Sequence, residues 1–273
     1  MSVVAVAWRA HPDFPLVLLY NRSAPYARPS APAAWWTDPP DLLAGRDLQG
    51  GGTWLAVSRS EGRFALVTGT PSDGAAPTRG TLPIDYLTSG EDPVVHARRF
   101  MRDKGPYAPF NLIVGNPRQA HYAATRARLP LALTEGVHTL GQGLLDQREP
   151  VSERLGTLFG AYIKGMGGHV TLLDGYPRLR DALALYRCEL PMPQGEELQA
   201  GDIAAAAFVM LADRSDGVFE IGPERGTRSS TVFVMGRDGS LHFEERSFDA
   251  AGAECGRVRE QWQQDAAVFG APP

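Results

Sequence analysis

The sequence predicts an α+β protein built on antiparallel sheets. Three observations lead to this class: short apolar or β-branched runs lie near both ends of the chain, turn signals join several of them into hairpins, and segments of helical periodicity lie between. No internal repeat is evident. With 273 residues, 43% hydrophobic and 21% charged, the chain is predicted to be a single domain over residues 1–273, with a disordered tail from about residue 265.

The first two strands are expected at the amino end of the chain. Residues 3–7 and 16–20 are short apolar runs joined by a proline-containing connection, and such runs typically pair across a turn. Their pairing would bring Arg22, which follows the second run, back toward the amino end. Residues 25–40 are rich in proline and alanine, so we expect an ordered loop there rather than a regular strand or a long helix.

The remaining strands and helices follow from turn chemistry and periodicity. Hairpins are expected around Ser60-Glu61-Gly62 and around Arg237-Asp238-Gly239. Asp92-Pro93 is typical of a helix start, and that helix would end at Lys104-Gly105. Strands are predicted at residues 53–58, 64–68, 110–114, 119–124, 137–140, 229–235 and 241–248. Further helices are predicted at residues 150–164, 176–188 and 202–212.

The composition argues against several classes of function. A net charge of -4 and a pI near 5.9, without a basic block, argue against a general affinity for nucleic acid. No apolar run reaches the roughly 20 residues of a membrane span, and the amino end lacks the basic region of a signal peptide. Cys188 and Cys255 show neither metal-ligand nor disulfide-scaffold spacing. We therefore expect a cytoplasmic protein, whose oligomeric state the sequence leaves open.

Reactive groups are concentrated at the amino end, where Ser2 follows Met1 and would lie beside Arg22. If Met1 is removed, Ser2 carries both a hydroxyl nucleophile and a free α-amine, whose pKa of ~7.7–8.0 suits a general base at neutral pH. The alternative is that Ser2 is simply the first ordered residue, because any small second residue satisfies the same processing rule. Both interpretations stay open at this point.

A series of motifs spans nearly the whole chain. In chain order they are Ala10-His11-Pro12, Pro15-Leu16-Val17-Leu18, Asn21-Arg22, Tyr26-Ala27-Arg28-Pro29, Ala44-Gly45-Arg46-Asp47, Gly51-Gly52-Thr53-Trp54-Leu55, Phe110-Asn111-Leu112, Gly136-Val137, Leu144-Leu145-Asp146 and Gly226-Thr227-Arg228-Ser229-Ser230-Thr231-Val232. Together they resemble the NRDE superfamily, also called the transport and Golgi organisation protein 2 family. The resemblance implies a four-layer αββα sandwich like that of the N-terminal-nucleophile hydrolases. It also implies links to haem trafficking and lipid homeostasis, although fold similarity does not transfer activity.

The departures from this family concern polar positions around one expected pocket. The family usually has cysteine where this chain has Ser2, and the name-giving Asn-Arg-Asp-Glu is Asn21-Arg22-Ser23-Ala24 here. Thr-Asn is replaced by Thr68-Gly69, and Ser-Asn by Gly141-Gln142. Thiolate is the better nucleophile at neutral pH, and removing one oxyanion donor costs on the order of 3 kcal/mol of transition-state stabilisation. These departures indicate a divergent pocket of weak or absent activity.

Metal and phosphate sites have little support in the sequence. Gly50-Gly51-Gly52 lacks the Lys-Ser/Thr of a phosphate loop, so a turn entering a strand is favoured. The six histidines contain no HxxxH or HExxH pair. CxxCH is absent too, so haem is expected only by analogy with the family, through an apolar pocket and arginine contacts to the propionates.

The leading hypothesis is a divergent family member whose pocket binds or handles a small amphipathic ligand. Ligand contacts are predicted for Asn21, Arg28, Trp54, Gly69, Arg228 and Ser229. The alternative is an amidohydrolase in which Ser2 attacks and its α-amine relays the proton. In that mechanism Arg22 orients the amine or the substrate, and backbone N–H groups with Gln142 stabilise the oxyanion.

Two further expectations concern arginine and tryptophan. Arg46-Asp47 is expected to form a structural ion pair rather than a ligand contact. Trp35, Trp36 and Trp54 either line a cleft near Ser2 or form a packing cluster beneath the proline-rich loop. The position of the indoles relative to Ser2 distinguishes these alternatives.

Overall fold

The computed structural model describes residues 2–69, 78–165, 199–214 and 217–265. The strands within them are β1 (Val3–Trp8), β2 (Leu16–Pro25), β3 (Ser30–Trp35), β4 (Leu42–Asp47), β5 (Leu55–Ser58), β6 (Phe64–Gly69), β7 (Phe110–Asn116), β8 (Gln119–Ala124), β9 (Leu131–Ala132), β10 (Gly136–Leu140), β11 (Arg225–Met235), β12 (Ser240–Phe248) and β13 (Glu254–Gln263). The helices are α1 (Thr81–Ser89), α2 (Pro93–Arg102), α3 (Pro150–Gly165) and α4 (Ala200–Leu211).

The strands form two antiparallel sheets. The first sheet has the order β10-β1-β2-β11-β12-β13, and the second has the order β3-β4-β5-β6-β7-β8-β9. Because β2 pairs with β11, the two ends of the chain meet at the centre of the first sheet. The predicted class, α+β with antiparallel sheets, is confirmed.

Three apolar clusters hold the layers together. One fills the space between the two sheets, a second lies between the first sheet and helices α3 and α4, and a third lies between the second sheet and helices α1 and α2. The described residues therefore stack as helices, sheet, sheet and helices. Such layers form because each sheet face and each amphipathic helix must bury its apolar side against another element.

The central strand β2 shows how sequence creates this layering. Leu16, Leu18 and Tyr20 belong to the cluster between the sheets, whereas Val17 and Leu19 belong to the cluster under the helices. Successive side chains of a strand point to opposite faces, so a strand covered on both sides needs apolar residues throughout. The uninterrupted apolar run is therefore the consequence of double burial.

One structural expectation for the proline-rich segment was wrong. Residues 25–40 contain the regular strand β3, which includes Pro32. The strand lies at the edge of the second sheet, and its pairing with β4 is irregular between Ala31 and Ala34. Proline lacks a backbone N–H, but an irregular edge strand does not require one at every position. Edge placement thus accommodates the proline.

The other predicted elements compare as follows. Both hairpins, the helix after Asp92 and the helices beginning near residues 150 and 202 are present within about two residues of their expected bounds, except that β11 begins at Arg225, four residues before its expected start. The sequence reasoning did not predict α1 or strands β4, β9 and β13 as elements. The helix predicted at residues 176–188 and the tail after residue 265 lie outside the described residues. No described helix is long and apolar enough to cross a membrane.

Candidate functional site

The amino end of β1 lies at one end of the space between the sheets. Val3 pairs with Asn21 on β2, so the same register sets Ser2 opposite Arg22. Val4 and Val6 belong to the cluster between the sheets, and alternation along the strand puts Ser2 on that same face. The expected proximity of Ser2 and Arg22 thus follows from the pairing of the first two strands.

The Ser2 hydroxyl is held by its neighbours on β2. The Ser23 N–H donates to Ser2 Oγ at 3.2 Å, and Ser2 also lies close to the Tyr20 hydroxyl. Tyr20 donates to the carbonyl oxygen of Val67 at 2.9 Å, and burial raises its pKa to about 12. A phenol with this pKa is neutral at pH 7, so Tyr20 acts there as a hydrogen-bonding group and not as an anion.

Arg22 is the central cation of the site. Its side chain is only 6% exposed, and its guanidinium lies over the Trp54 ring at 4.1 Å from the ring centroid. Among the described residues, Arg22 forms neither an ion pair nor a hydrogen bond through its side chain. Burial lowers its pKa, but an arginine stays charged in proteins. Within the described residues, the site therefore contains a buried positive charge that lies over an aromatic face and has no carboxylate in direct contact.

Ser229 lies directly beside Arg22, because the two residues pair across β11 and β2. Its hydroxyl is buried and has no hydrogen-bond partner among the described residues. Buried polar groups are normally hydrogen-bonded, so an unpaired hydroxyl next to a cation is unusual. The neighbouring Arg228 donates to the Tyr26 carbonyl at 3.1 Å, and its Nε has no partner within the described part of the chain.

Two further arginines surround this centre. Arg28 donates two hydrogen bonds to Asp47, the shorter at 2.6 Å. Burial opposes ionisation of Asp47, but the hydrogen bond and the charge of Arg28 outweigh it and lower the pKa of that carboxyl. Arg79 lies close enough to Tyr20 and Arg28 to interact electrostatically with both. With Arg22 and Arg228, the described part of the cluster contains four arginines, and Asp47 pairs with Arg28.

The expected Arg46-Asp47 ion pair was wrong. Asp47 pairs with Arg28, whereas Arg46 is exposed and lies over the Trp36 ring at 4.3 Å. Adjacent residues of a strand point to opposite faces, so Arg46 and Asp47 cannot share one side of β4. Of Arg46 and Asp47, only Asp47 belongs to the arginine cluster.

Glu245 is a residue of the site that the sequence reasoning missed. Its side chain lies between the sheets and is 1% exposed. It accepts hydrogen bonds from the Ala33 N–H at 2.7 Å and from Thr231 Oγ1 at 3.0 Å. Burial raises its pKa to about 7, although these hydrogen bonds and the charge of Arg22 act in the opposite direction. The sequence signal that could have identified Glu245 is an acidic residue at a position of β12 that alternation places on the inward face of the strand.

Several predicted ligand residues lie away from this centre. Asn21 faces the helices, where its Nδ2 donates to the Leu211 and Val218 carbonyls at 2.8 Å each. Gly69 and Gln142 lie in a neighbouring cleft of about 220 Å³, part of which is open to solvent. A Cβ at Gly69 would lie 2.5 Å from the Pro109 carbonyl oxygen, so this position has no room for a side chain.

The three tryptophans do not form one wall. Trp54 lies beneath Arg22, but Trp36 packs in the cluster on the far side of the second sheet. The Trp35 and Trp262 rings pack edge to face with their centroids 5.3 Å apart, and Trp35 Nε1 donates a hydrogen bond to Glu260 at 3.0 Å. Only Trp54 of this trio is in contact with Arg22.

The described residues offer no cluster of three or more histidine, cysteine or carboxylate side chains able to hold a metal ion. The five described histidines interact with other parts of the protein; for example, His138 hydrogen-bonds to Asp146 at 2.8 Å and His96 to Glu91 at 2.6 Å. The described part of the site therefore provides cations for carboxylates.

These features define an α+β sandwich of two antiparallel sheets with an arginine-rich site at one end of its inter-sheet layer. The sequence model of the family described as Transport and Golgi organisation 2 matches residues 1–250. The chain therefore belongs to that family, as the motifs predicted.

Relatives agree with this assignment. The Transport and Golgi organization protein 2 homolog of Homo sapiens is 27% identical over 256 residues, covering 85% of this chain and 86% of the relative. The homolog of Bos taurus is 28% identical over 251 residues, with the same coverage of both chains. The Drosophila melanogaster Transport and Golgi organization protein 2 is 29% identical over 136 residues, covering 45% of this chain and 48% of the relative.

Proposed function

We propose that the arginine-rich site binds a small amphipathic anion. The observation that carries this proposal is the buried guanidinium of Arg22, which has no carboxylate partner among the described residues. Burying an unpaired charge costs several kcal/mol, and guanidinium pairs favourably with carboxylate, sulfonate or phosphate oxygens. A ligand anion would offset that cost.

The surroundings of Arg22 support the amphipathic character of the ligand. The Ser229 hydroxyl can donate to an anion bound at Arg22, satisfying a buried polar group that has no partner in the described part of the chain. Trp54 supplies an apolar face next to the charge. Arg228 and Arg28 add positive potential, so the ligand's charged end is expected at the arginines and its apolar part along the indole.

Binding of anilinonaphthalene sulfonate, a small amphipathic anion, tests this proposal. We expect Arg22→Met to weaken binding by about tenfold or more, since a hydrogen bond to a charged group contributes about 1.5–3 kcal/mol. Arg46→Met is the matched control, because it also removes an arginine from a tryptophan face but lies outside the site. Circular dichroism verifies that both variants fold. Equal affinities for the two variants, or no binding by the unmodified protein, would contradict the proposal.

Haem is the specific amphipathic anion that the family analogy suggests. The cations of Arg22, Arg28 and Arg228 suit its two propionates. We therefore infer that any haem would be carried through its carboxylates and its apolar ring. Titration with haem should then produce a Soret shift that Arg22→Met abolishes. A titration without a Soret shift would remove haem as the cargo.

A second candidate function is an amidohydrolase with Ser2 as the nucleophile. It is favoured by the Ser2 hydroxyl, which is held beside Ser23 and Tyr20 and opposite Arg22. After removal of Met1, Oγ would attack the amide carbonyl and form an ester. The α-amine would pass the hydroxyl proton to the departing amine, and water would then hydrolyse the ester.

Intact mass and covalent labelling test the hydrolase. We expect a protein mass without Met1 and labelling by a β-lactone probe that Ser2→Ala abolishes. Retention of Met1 would block the α-amine, and equal labelling of both proteins would remove Ser2 as the nucleophile. Either result would leave anion binding at Arg22 as the function of the site.

A further inference from the structure

Glu245 is a buried carboxyl group that the proposed binding function does not yet use. It lies on the inward face of β12, fully enclosed between the sheets. One carboxyl oxygen accepts from the Ala33 N–H of the second sheet, and the other accepts from Thr231 on the neighbouring strand. These contacts fix the carboxyl group in one orientation.

The charged side chains that the described elements place beside Glu245 include Arg22 on β2 and Glu260, which lies on the inward face of the adjacent strand β13 between Val258 and Trp262. Glu245 also neighbours Thr231 on β11, Val258 on β13, Ala33 on β3 and Trp54 before β5. The Trp54 ring has Arg22 stacked on its face, and its indole nitrogen is close enough to lower the Glu245 pKa without reaching hydrogen-bond geometry. Arg22, Trp54 and Glu245 therefore form one contiguous buried group.

We propose that Glu245 is a positioning residue that balances the charge of Arg22 in the free protein and takes up a proton when an anion binds at Arg22. This inference rests on the proposed function of the site. Its basis is the enclosed position of Glu245 next to a single cation, which a bound anion would neutralise.

The physical argument is one of charge in a low-dielectric layer. In the free protein, the attraction of Arg22 favours the ionised form of Glu245. A ligand anion shares the charge of Arg22, so this attraction weakens and two negative groups come to lie in one poorly solvated region. Protonation of Glu245 relieves that repulsion. The pKa of about 7 for this carboxyl means that little further shift is needed near neutral pH.

Titration calorimetry with anilinonaphthalene sulfonate, in buffers of different ionisation enthalpy, measures the protons taken up on binding. The sulfonate stays ionised throughout, so the uptake belongs to the protein. We expect uptake of about half a proton per ligand near pH 7, where about half of Glu245 is ionised in the free protein, and little uptake near pH 5, where Glu245 is already protonated. The affinity of the unmodified protein should accordingly fall as the pH rises.

Glu245→Gln should keep binding but lose the proton uptake, making the affinity independent of pH over this range. Glu260→Gln is the matched control: this carboxylate lies on the adjacent strand β13, where it accepts a hydrogen bond from Trp35, and its removal should leave the uptake unchanged. Binding by the unmodified protein without proton uptake, or unchanged uptake in Glu245→Gln, would overturn the inference. Absence of binding would instead contradict the proposed function itself, so the two failures are distinguishable.

Discussion

Replacement of Ser229 by alanine is expected to stabilise the protein while weakening its binding of anions. The Ser229 hydroxyl is buried and unpartnered among the described residues. An unsatisfied buried polar group costs about 1–3 kcal/mol. Alanine removes the oxygen and leaves the rest of the strand unchanged, so we expect a gain of about 1 kcal/mol in the free energy of unfolding, or roughly 2–4 °C in Tm.

The adjacent residue provides a control of the opposite sign. The Ser230 hydroxyl is also buried, but it donates to Asn21 Oδ1 at 2.5 Å. Ser230→Ala would leave that amide oxygen without its partner and should cost about 1–3 kcal/mol. The two variants delete the same atom from neighbouring positions of β11, so only their hydrogen bonding distinguishes them.

Urea unfolding followed by tryptophan fluorescence measures both effects. We expect the urea concentration at the unfolding midpoint to rise for Ser229→Ala and to fall for Ser230→Ala, with an unchanged m-value for both variants. Ser229→Ala should also weaken binding of anilinonaphthalene sulfonate about tenfold, because the ligand loses a hydrogen bond. A loss of stability in Ser229→Ala comparable to that in Ser230→Ala would refute the reasoning that this hydroxyl is kept for a ligand.

Three further predictions concern stability. The hydrogen bond to Asp146 raises the pKa of His138 above its unfolded value of about 6.5. The pair therefore contributes its full stabilisation below about pH 6.5 and loses it as the pH rises through the pKa of the folded state. His138→Gln should flatten this part of a plot of Tm against pH. For Glu244, burial acts against the ionised form, but the interaction with His242 Nε2, 3.7 Å away, and hydrogen bonds from Arg259 and Arg246 lower its pKa to about 2. Its contribution is full above about pH 4.3 and is lost as the pH falls toward 2, so Glu244→Gln should show less acid-induced loss of stability in urea titrations. Tyr122 donates to Asn111 Oδ1 at 2.7 Å, and Tyr122→Phe should cost about 1–3 kcal/mol by thermal unfolding; an unchanged Tm would contradict that assignment.

Local chemistry made much of the fold predictable. The hairpin of β1 and β2 was evident from two apolar runs and a turn, and its register alone sets Ser2 opposite Arg22. The strand β3 was not evident from the sequence, because proline is normally excluded from strands. Pro32 is accommodated because β3 lies at the edge of its sheet. The strand β13 was not evident either, because its apolar residues packed against the inter-sheet cluster are Val258 and Trp262, and these form no apolar run.

The composition of the site depends on contacts between distant parts of the chain. Trp54 was predicted as a ligand residue, but its stacking on Arg22 depends on the second sheet facing the first. Glu245 was not predicted, because it joins Arg22 only through the pairing of strands that are distant in the chain. Likewise, the sequence suggested Asn21 as a ligand residue, but strand alternation turns it toward the helices.

The sequence by itself determined the class of fold, the pairing of the amino-terminal strands, the family and the presence of arginines near Ser2. Periodicity, turns and motifs are properties of contiguous residues and can therefore be read along the chain. The tertiary structure decided that, within the described ranges, Arg22 is buried without a carboxylate in direct contact, that the Ser229 hydroxyl has no hydrogen-bond partner there, and that Glu245 shares their layer. Desolvation and pairing depend on which distant faces exclude water together, and no local pattern encodes that arrangement.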